Sequence, residues 1–248
     1  MVNIAETCAD NNPVQLITDY TVRENSVGDA QMLEDRLSAI KEKTEVTDIY
    51  ADGGYYSEEV ELRAEKNDIT MHYTNMTGSK PDTEKIPFTA FTIEDHKIIV
   101  SCPQKQRPLS SGYNKETHIL TAHFDLESWQ QCPVKDNCPV KIKKKSAVLR
   151  ISRKTIFAAE ARERMNVRSE RKESASRRAA IEGTNSALKC SQGADKLRVR
   201  TKVKSSLVVG MKMIGRNIRQ MVRFFRGDIR KKAAEILGNA NQGVTVPI

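Results

Sequence analysis

A short predicted strand leads into a carboxylate. Residues 46–50, VTDIY, are rich in β-branched and aromatic side chains, which is typical of a buried strand, and Asp52 follows closely, before two glycines and two tyrosines. The strand–helix pattern around it predicts that Asp52 stands at the carboxyl end of a parallel strand, where open α/β sheets carry functional residues. Strand-end aspartates are also common turn formers, so Asp52 alone does not define a site.

A second carboxylate lies on a predicted helix in the other half of the chain. In residues 177–189, RRAAIEGTNSALK, Glu182 follows Arg178 by four residues and precedes Lys189 by seven. At about 100° per residue, these offsets place the three side chains near one helix face. The same pattern occurs on ordinary salt-bridged helix surfaces, which is the alternative interpretation.

These motifs, in this order, resemble the DDE transposases of bacterial insertion sequences. The stretch ADGGYYS at 51–57 contains Asp-x-Gly-Tyr, and Arg178, Glu182 and Lys189 match the Arg-x3-Glu-x6-Lys part of the subgroup signature Tyr-x2-Arg-x3-Glu-x6-Lys. The segments IEGTNSALK, KLRVR and IGRNIRQMVRF follow in order, so the resemblance covers about residues 2–226. It departs from the signature where the tyrosine is expected, since Ala175 stands there.

The resemblance implies a fold, an activity and partners. The fold is α/β: a ribonuclease H-like mixed sheet flanked by helices. Asp52 would be the family's second aspartate and Glu182 its glutamate, binding Mg²⁺ (or Mn²⁺) for cleavage and transfer of DNA strands. Arg178 and Lys189 would hold the DNA backbone. The partners implied are transposon ends, target DNA and a second copy of the protein in a synaptic complex.

The family's first aspartate has no match in this chain. It belongs on the first strand of the sheet, directly before the strand MVNIAET, with which this sequence opens. Asp10 falls in the predicted hairpin turn, and Asp19 on the predicted edge strand, away from the metals. The expectation is a carboxyl-terminal part of a transposase, from a split, truncated or decayed gene, whose first strand is encoded upstream of Met1. The alternative is that Asp19 substitutes.

Three of the five cysteines fall in a Pro- and Gly-punctuated segment with short strands: Cys102, Cys132 and Cys138. The resemblance implies a Cys-x2-Cys-x5-Cys cluster there, with Trp129 at its first position. The three thiolates, with His118 or His123 as a fourth ligand, would make a zinc site. The alternative is free, buried thiols in a small β-rich unit.

The pattern of predicted elements divides the chain into four parts. The first part of the ribonuclease H-like domain covers 1–76, the β-rich, Cys-containing insertion covers 77–150, the helical second part covers 151–226, and a tail covers 227–248. The last long helix has an apolar stripe with steps of three and four residues, which predicts a core-facing side. Its members are Leu207, Met211, Ile214, Ile218, Met221 and Phe225.

Charge is distributed unevenly along the chain. Residues 1–140 carry 13 Lys and Arg against 24 Asp and Glu, a net of −11, whereas residues 141–230 carry 26 against 7, a net of +19. The strongly basic segment 141–230 predicts a polyanionic partner, of which nucleic acid is the most common. Besides the enzyme, two alternatives follow: a non-catalytic DNA-binding remnant of a transposase, and a zinc-stabilised interaction domain.

Hydropathy and cysteine content indicate a compartment. No run of 18 uncharged apolar residues is present, which predicts that no helix spans a membrane. The opening MVNIAETCADNN lacks the basic start and apolar stretch of a signal peptide. The odd number of cysteines, five, is typical of a reducing environment, so the predicted location is the cytoplasm, in association with the nucleoid.

Overall fold

The structure is a computed structural model whose described residues are 1–9, 11–74, 76, 84–143 and 146–240. Asp10, assigned above to the hairpin turn, and residues 77–83, at the predicted start of the insertion, lie outside them. So do the side chains of 168–171, 173, 174, 178 and 233–240.

The amino-terminal part alternates strands and helices. In chain order it contains β1 Val2–Glu6, β2 Ile17–Val22, α1 Asp29–Thr44, β3 Asp48–Asp52, α2 Glu58–Glu65 and β4 Thr70–Thr74. β1 pairs antiparallel with β2, and β3 pairs parallel with β4, in register from Asp48 opposite Thr70 to Asp52 opposite Thr74. These are two separate two-stranded sheets.

The middle part is rich in β structure. It contains β5 Thr92–Glu94, β6 Ile98–Ser101, β7 Ser110–Asn114, β8 Ile119–Phe124, α3 Leu126–Gln130, β9 Lys141–Lys143 and β10 Ser146–Ser152. β5 and β6 form a hairpin, and the other four strands form an antiparallel sheet in the order β7-β8-β10-β9. Its core joins residues of these strands to Ile156 of the next helix.

The carboxyl-terminal part is helical. It contains α4 Arg153–Asn166, α5 Arg168–Ser186, a π-helical turn Ala187–Ser191 and α6 Lys202–Ala240. α6 joins the amino-terminal part through β2: its Val209 and Met213 are buried in one cluster with Ile17. The side-chain amide of Asn217 donates to the Ile17 carbonyl (2.8 Å) and accepts from the Ile17 amide (2.9 Å).

Two helical layers enclose the strands. Alternate side chains of a strand point to opposite faces. On β3, Ile49 and Ala51 pack against the cluster of α1 and α2, whereas Tyr50 faces α5, whose Arg177 guanidinium carbon lies 4.6 Å from the tyrosine ring centroid. On β2, Asp19 contacts α1 and Tyr20 contacts α6. α1 therefore covers one face of both sheets, and α5 with α6 covers the other.

The structure confirms a mixed α/β class and corrects the interpretation of the last helix. The six members of the predicted core-facing stripe are exposed, for instance Leu207 at 63% and Ile218 at 56%. Among residues 202–232, the buried hydrophobic side chains are Val209 and Met213, which meet β2 and the π-helical turn. Periodicity identified the helix, but the contacts that select its buried side come from strands almost 200 residues earlier.

α6 also continues past the residue where the sequence placed its end. It runs through Gly227 to Ala240, across the start of the predicted tail. A glycine inside a helix costs only about 1 kcal/mol relative to alanine, and the following DIRKKAAEIL contains mostly good helix formers.

Candidate active site

Asp52 is the last residue of β3, and the following turn fixes its carboxylate. Its Oδ1 accepts a hydrogen bond from the Gly53 amide (2.8 Å), capping a 3₁₀ turn over Gly53–Tyr55. The Thr74 hydroxyl, on the neighbouring strand, donates to the same oxygen at 3.5 Å. Asp52 is two residues after Tyr50 on β3, so both side chains point to the same face of the sheet, which α5 covers.

Glu182 and Lys189 come from α5 and the turn after it. Glu182 lies in the last part of α5, and Lys189 lies in the π-helical turn Ala187–Ser191; both are exposed. The π turn changes the number of residues per turn, so the offset of seven does not correspond to a regular helix face. The side chain of Arg178 is outside the described part of the chain.

One cleft joins the two carboxylates. A cavity of about 990 Å³ lies between β1 and β3, and Asp52, Glu182 and Lys189 all line it. Asp52 and Glu182 are 130 positions apart in the sequence and reach the cleft from different elements. Three of the four residues that the transposase resemblance assigned to the catalytic and DNA-binding sets therefore line one cleft.

Arg177 is a cleft residue that sequence reasoning missed. Its guanidinium donates to the Cys8 carbonyl just after β1 and lies over the ring of Tyr50 on β3. Arg177 thus spans the cleft at one end. The steps of four that link it to Ile181, Asn185 and Lys189, all of which line the cleft, are the signal that could have identified it.

Two half-buried polar side chains, Tyr55 and Glu6, also line the cleft. Burial, with the nearby carboxylates of Asp29 and Asp52, raises the pKa of Tyr55 to about 12. The phenol therefore stays protonated at neutral pH, and it donates to Asn3 Oδ1 (3.1 Å), which ties the turn after β3 to β1. Burial also raises the pKa of Glu6, against opposing effects of Thr184 and Arg216.

Asp19 is not part of this site. It is 6% exposed, and its carboxylate accepts from Arg36 (2.5 and 2.9 Å) and from Lys43 (3.0 Å), both on α1. It lies on the α1 face of β2, outside the cleft of Asp52 and Glu182. The interpretation in which Asp19 substitutes for the first aspartate is therefore wrong, because its carboxylate forms ion pairs with Arg36 and Lys43 on the α1 side of β2.

The three cysteines of the β-rich part gather near Trp129. Cys102 and Cys138 pack against the core of this part, and burial raises the pKa of the Cys138 thiol, with smaller effects of Cys132 and Cys102. All five cysteines are free thiols. His118 Nδ1 bonds the Tyr113 hydroxyl (2.6 Å), and His123 Nδ1 bonds the Ser146 hydroxyl (3.1 Å).

Neither predicted metal site has a group of three ligand side chains in the described part of the chain. Within residues 1–9, 11–74, 76, 84–143 and 146–240, no three His, Cys, Asp or Glu side chains are grouped so that they could hold a metal ion. The zinc ligand set stays a prediction without geometric support. For Mg²⁺, two carboxylates suit an ion that prefers oxygen ligands and keeps several waters, so the donor chemistry of Asp52 and Glu182 fits it.

Among the residues that the structure describes, no helix is both long and apolar enough to cross a membrane.

Comparison with known proteins gave one match. Residues 101–222 match the family model described as Transposase DDE domain, a span that includes Glu182 and Lys189 and begins 49 residues after Asp52. The searches of curated proteins and of solved structures gave no match. Transposases of this family generally use divalent metal ions and act on DNA. Residues 101–222 therefore belong to the DDE domain of a transposase, a protein of DNA transposition.

Proposed function

We propose that Asp52 and Glu182 are two carboxylates of a Mg²⁺- or Mn²⁺-dependent centre that cleaves and transfers DNA strands. The observation that carries this proposal is their position in one cleft, from β3 and α5, together with Lys189. Like charges repel, so stability alone gives no reason to place two carboxylates in one cleft, whereas a shared metal ion does. In this proposal the chain belongs to the Tyr-x2-Arg-x3-Glu-x6-Lys subgroup and has a ribonuclease H-like domain with a β-rich insertion over 77–150.

Bound divalent metal would activate an attacking hydroxyl and stabilise the leaving oxygen of the phosphodiester. The chain's own residues supply the rest. The hydrogen bond from Gly53 and the contact with Thr74 hold the Asp52 carboxylate towards the cleft. Lys189, at the rim, carries a positive charge that binds a DNA phosphate, and Arg178 is assigned the same role from its place in the motif.

The proposed DNA partners are transposon ends and target DNA, bound in the cytoplasm at the nucleoid. The exposed apolar stripe of α6 supports a second partner, another copy of the chain. The stripe residues are spaced alternately by four and three, like the a and d positions of a coiled-coil heptad. The neighbouring e and g positions, which usually carry charges, hold valine, glycine, asparagine and phenylalanine here. Like charges therefore do not face each other along the seam, and we propose that it forms the homodimer contact.

Iron-directed cleavage tests the metal site without requiring catalysis. Fe²⁺ replaces Mg²⁺ at oxygen sites, and with ascorbate and peroxide it cuts the backbone next to its ligands. Cuts are expected near Asp52 and near Glu182, and Asp52→Asn or Glu182→Gln should remove both sets. Asp95→Asn is the control, because Asp95 is an exposed turn residue with φ 49°, a conformation that asparagine tolerates.

Three results would count against the proposal: cuts elsewhere, cuts at only one of the two positions, or a pattern insensitive to Asp52→Asn. In that event, DNA binding that persists in chelator would favour the non-catalytic DNA-binding remnant.

A further inference from the structure

One side of α6 carries a row of basic side chains. Its members follow each other by four and three residues in turn: Lys212, Arg216, Arg219, Arg223, Arg226 and Arg230. Residues three and four apart are neighbours on a helix surface, so the six lie on one face, which we call the basic stripe. Residues 202–232 contain ten Lys and Arg but one acidic residue, Asp228, which pairs with Lys232 off the stripe (3.2 Å).

The basic stripe is a third side of the helix, separate from its two apolar sides. One apolar side is the exposed stripe from Leu207 to Phe225. The other side meets β2 and the π-helical turn through Val209, Gly210, Met213 and Asn217. At about 100° per residue, the basic stripe is about 140° round the helix from the first side and about 115° from the second. Packing on either apolar side therefore leaves the basic stripe uncovered.

The basic stripe begins beside the cleft between β1 and β3. The Lys212 amine donates to the Gln192 carbonyl, just after the π-helical turn. The Arg216 guanidinium donates to the Thr184 hydroxyl on α5 (3.5 Å), and its charge opposes the rise in the pKa of Glu6, which lines the cleft. Arg216 therefore lies at the border between the basic stripe and the cleft.

The four arginines of the stripe beyond Arg216 are exposed. Within the described part of the chain, none of the four forms an ion pair with a carboxylate. Like charges three and four residues apart on a helix repel each other, so this row weakens α6 instead of stabilising it. Helix stability therefore does not account for the basic stripe, whereas a polyanion bound along it would remove the repulsion.

The shape of the row favours one backbone of a duplex. Arg216 and Arg230 are 14 residues apart. This separation is about 21 Å along the helix, or about six base pairs at about 3.4 Å each. Guanidinium groups suit phosphate oxygens, which they bind with two parallel hydrogen bonds. A helix that reads bases enters the major groove, between two backbones, whereas a single row with apolar sides to left and right contacts one.

We propose that the basic stripe binds one backbone of duplex DNA without reading its bases. Phosphate contacts of this kind position a duplex but carry no sequence information. The basic stripe would thus hold DNA of any sequence next to the cleft, through contacts additional to that of Lys189. The DNA partner rests on the proposed function, but the metal site is not involved, so binding is measured in EDTA.

The test compares two triple variants of the full chain with the same loss of charge. The stripe variant has the substitutions Arg219→Gln, Arg223→Gln and Arg226→Gln. The control variant removes three exposed cations of α6 off the stripe, by Lys202→Gln, Lys204→Gln and Lys231→Gln. Binding of a fluorescein-labelled duplex is followed by fluorescence anisotropy at several salt concentrations.

The stripe variant should bind the duplex at least tenfold more weakly than the unsubstituted chain. Its log–log slope of affinity against salt should be shallower by about 2.7, since each of three lost phosphate contacts contributes about 0.9. The control variant should keep both the affinity and the slope. A second duplex of unrelated sequence should give the same results, because no base is read.

Three results would overturn the proposal. Equal losses in the two variants would show a general effect of charge, and a preference between the duplexes that only the stripe variant loses would show base reading. Unchanged DNA binding of the stripe variant, with lost binding to phosphatidylserine vesicles, would assign the row to a membrane surface. Iron-directed cuts near Asp52 and Glu182 should persist in the stripe variant, so failure of the metal site is a separate result.

Circular dichroism checks that the stripe variant keeps its helices. Should the triple substitution disturb folding, Arg223→Gln alone gives the same test, with an expected decrease of about 0.9 in the slope. An unchanged slope for Arg223→Gln would then overturn the proposal.

Discussion

A Cβ atom on Gly210 of α6 would lie 2.4 Å from the hydroxyl oxygen of Tyr20 on β2. Real Cβ atoms do not come this close to another heavy atom, so only glycine lets the helix approach the strand at this point. The hydroxyl itself donates to the Ser206 carbonyl at 3.2 Å, which holds the ring in place.

Gly210→Ala should therefore destabilise the chain by about 1–2 kcal/mol in urea unfolding, although alanine favours the helix. Gly215→Ala is the matched control: nothing lies within 4 Å of its added Cβ, and it should be neutral or stabilising by up to about 1 kcal/mol. Adding Tyr20→Phe to Gly210→Ala should restore part of the loss. A Gly210→Ala chain as stable as the Gly215→Ala chain would contradict this packing.

Asp19 should make stability depend on acid pH. Burial alone would raise its pKa, but hydrogen bonds and charges of Arg36 and Lys43 lower it below the ordinary value. A lowered folded-state pKa stabilises the fold above the unfolded pKa of about 3.9, and this contribution is lost as pH falls through the folded pKa. Asp19→Asn should cost about 2–3 kcal/mol at pH 7, because it leaves two cations without their carboxylate.

The loss caused by Asp19→Asn should shrink as the pH approaches 3, measured by urea unfolding at several pH values. Asp95→Asn is the control, since Asp95 is an exposed turn residue with φ 49°, a conformation that asparagine tolerates. A penalty for Asp19→Asn that is the same at pH 3 and pH 7 would show that the ion pairs contribute nothing.

Ile218→Lys should convert a dimer into a monomer. Ile218 is in the middle of the exposed stripe of α6, and a lysine there would place two charges opposite each other in a helix–helix seam. Gln220→Lys adds the same charge off the stripe and should leave the mass unchanged in sedimentation equilibrium. If the unsubstituted chain is monomeric at concentrations of tens of micromolar, the stripe is not a homodimer contact.

Lys189→Ala should weaken binding of duplex DNA and change its dependence on salt. Each phosphate contact contributes about 0.9 to the log–log slope of affinity against salt concentration, so losing one contact should make the slope shallower by about that amount. Lys115→Ala, at an exposed position in the β-rich part, should change neither quantity. An unchanged slope for Lys189→Ala would remove Lys189 from the DNA contact.

The sequence predicted local elements better than it predicted their assembly. The strand ending at Asp52 and the helix carrying Glu182 follow from local pattern, and the resemblance to transposases indicated that both belong to one site. Arg177 could not be predicted, because the transposase signature contains its neighbour Arg178 instead and because its contacts to Cys8 and Tyr50 depend on strands distant in the sequence. The buried side of α6 was predicted wrongly for the same reason. The helix has two apolar sides, and only the contacts with β2 determine which of them is buried.

The pairing of Ile17 with Asn217 has a consequence for synthesis of the chain. Two hydrogen bonds and the shared cluster with Val209 and Met213 join residues 200 positions apart. Ile17 of the β1–β2 hairpin is made 200 residues before Asn217 of the α6 layer that covers it. Contacts of such high sequence separation form slowly. Ile17 therefore stays uncovered while the residues between the hairpin and α6 are made, and this is the stage at which a chaperone would matter most.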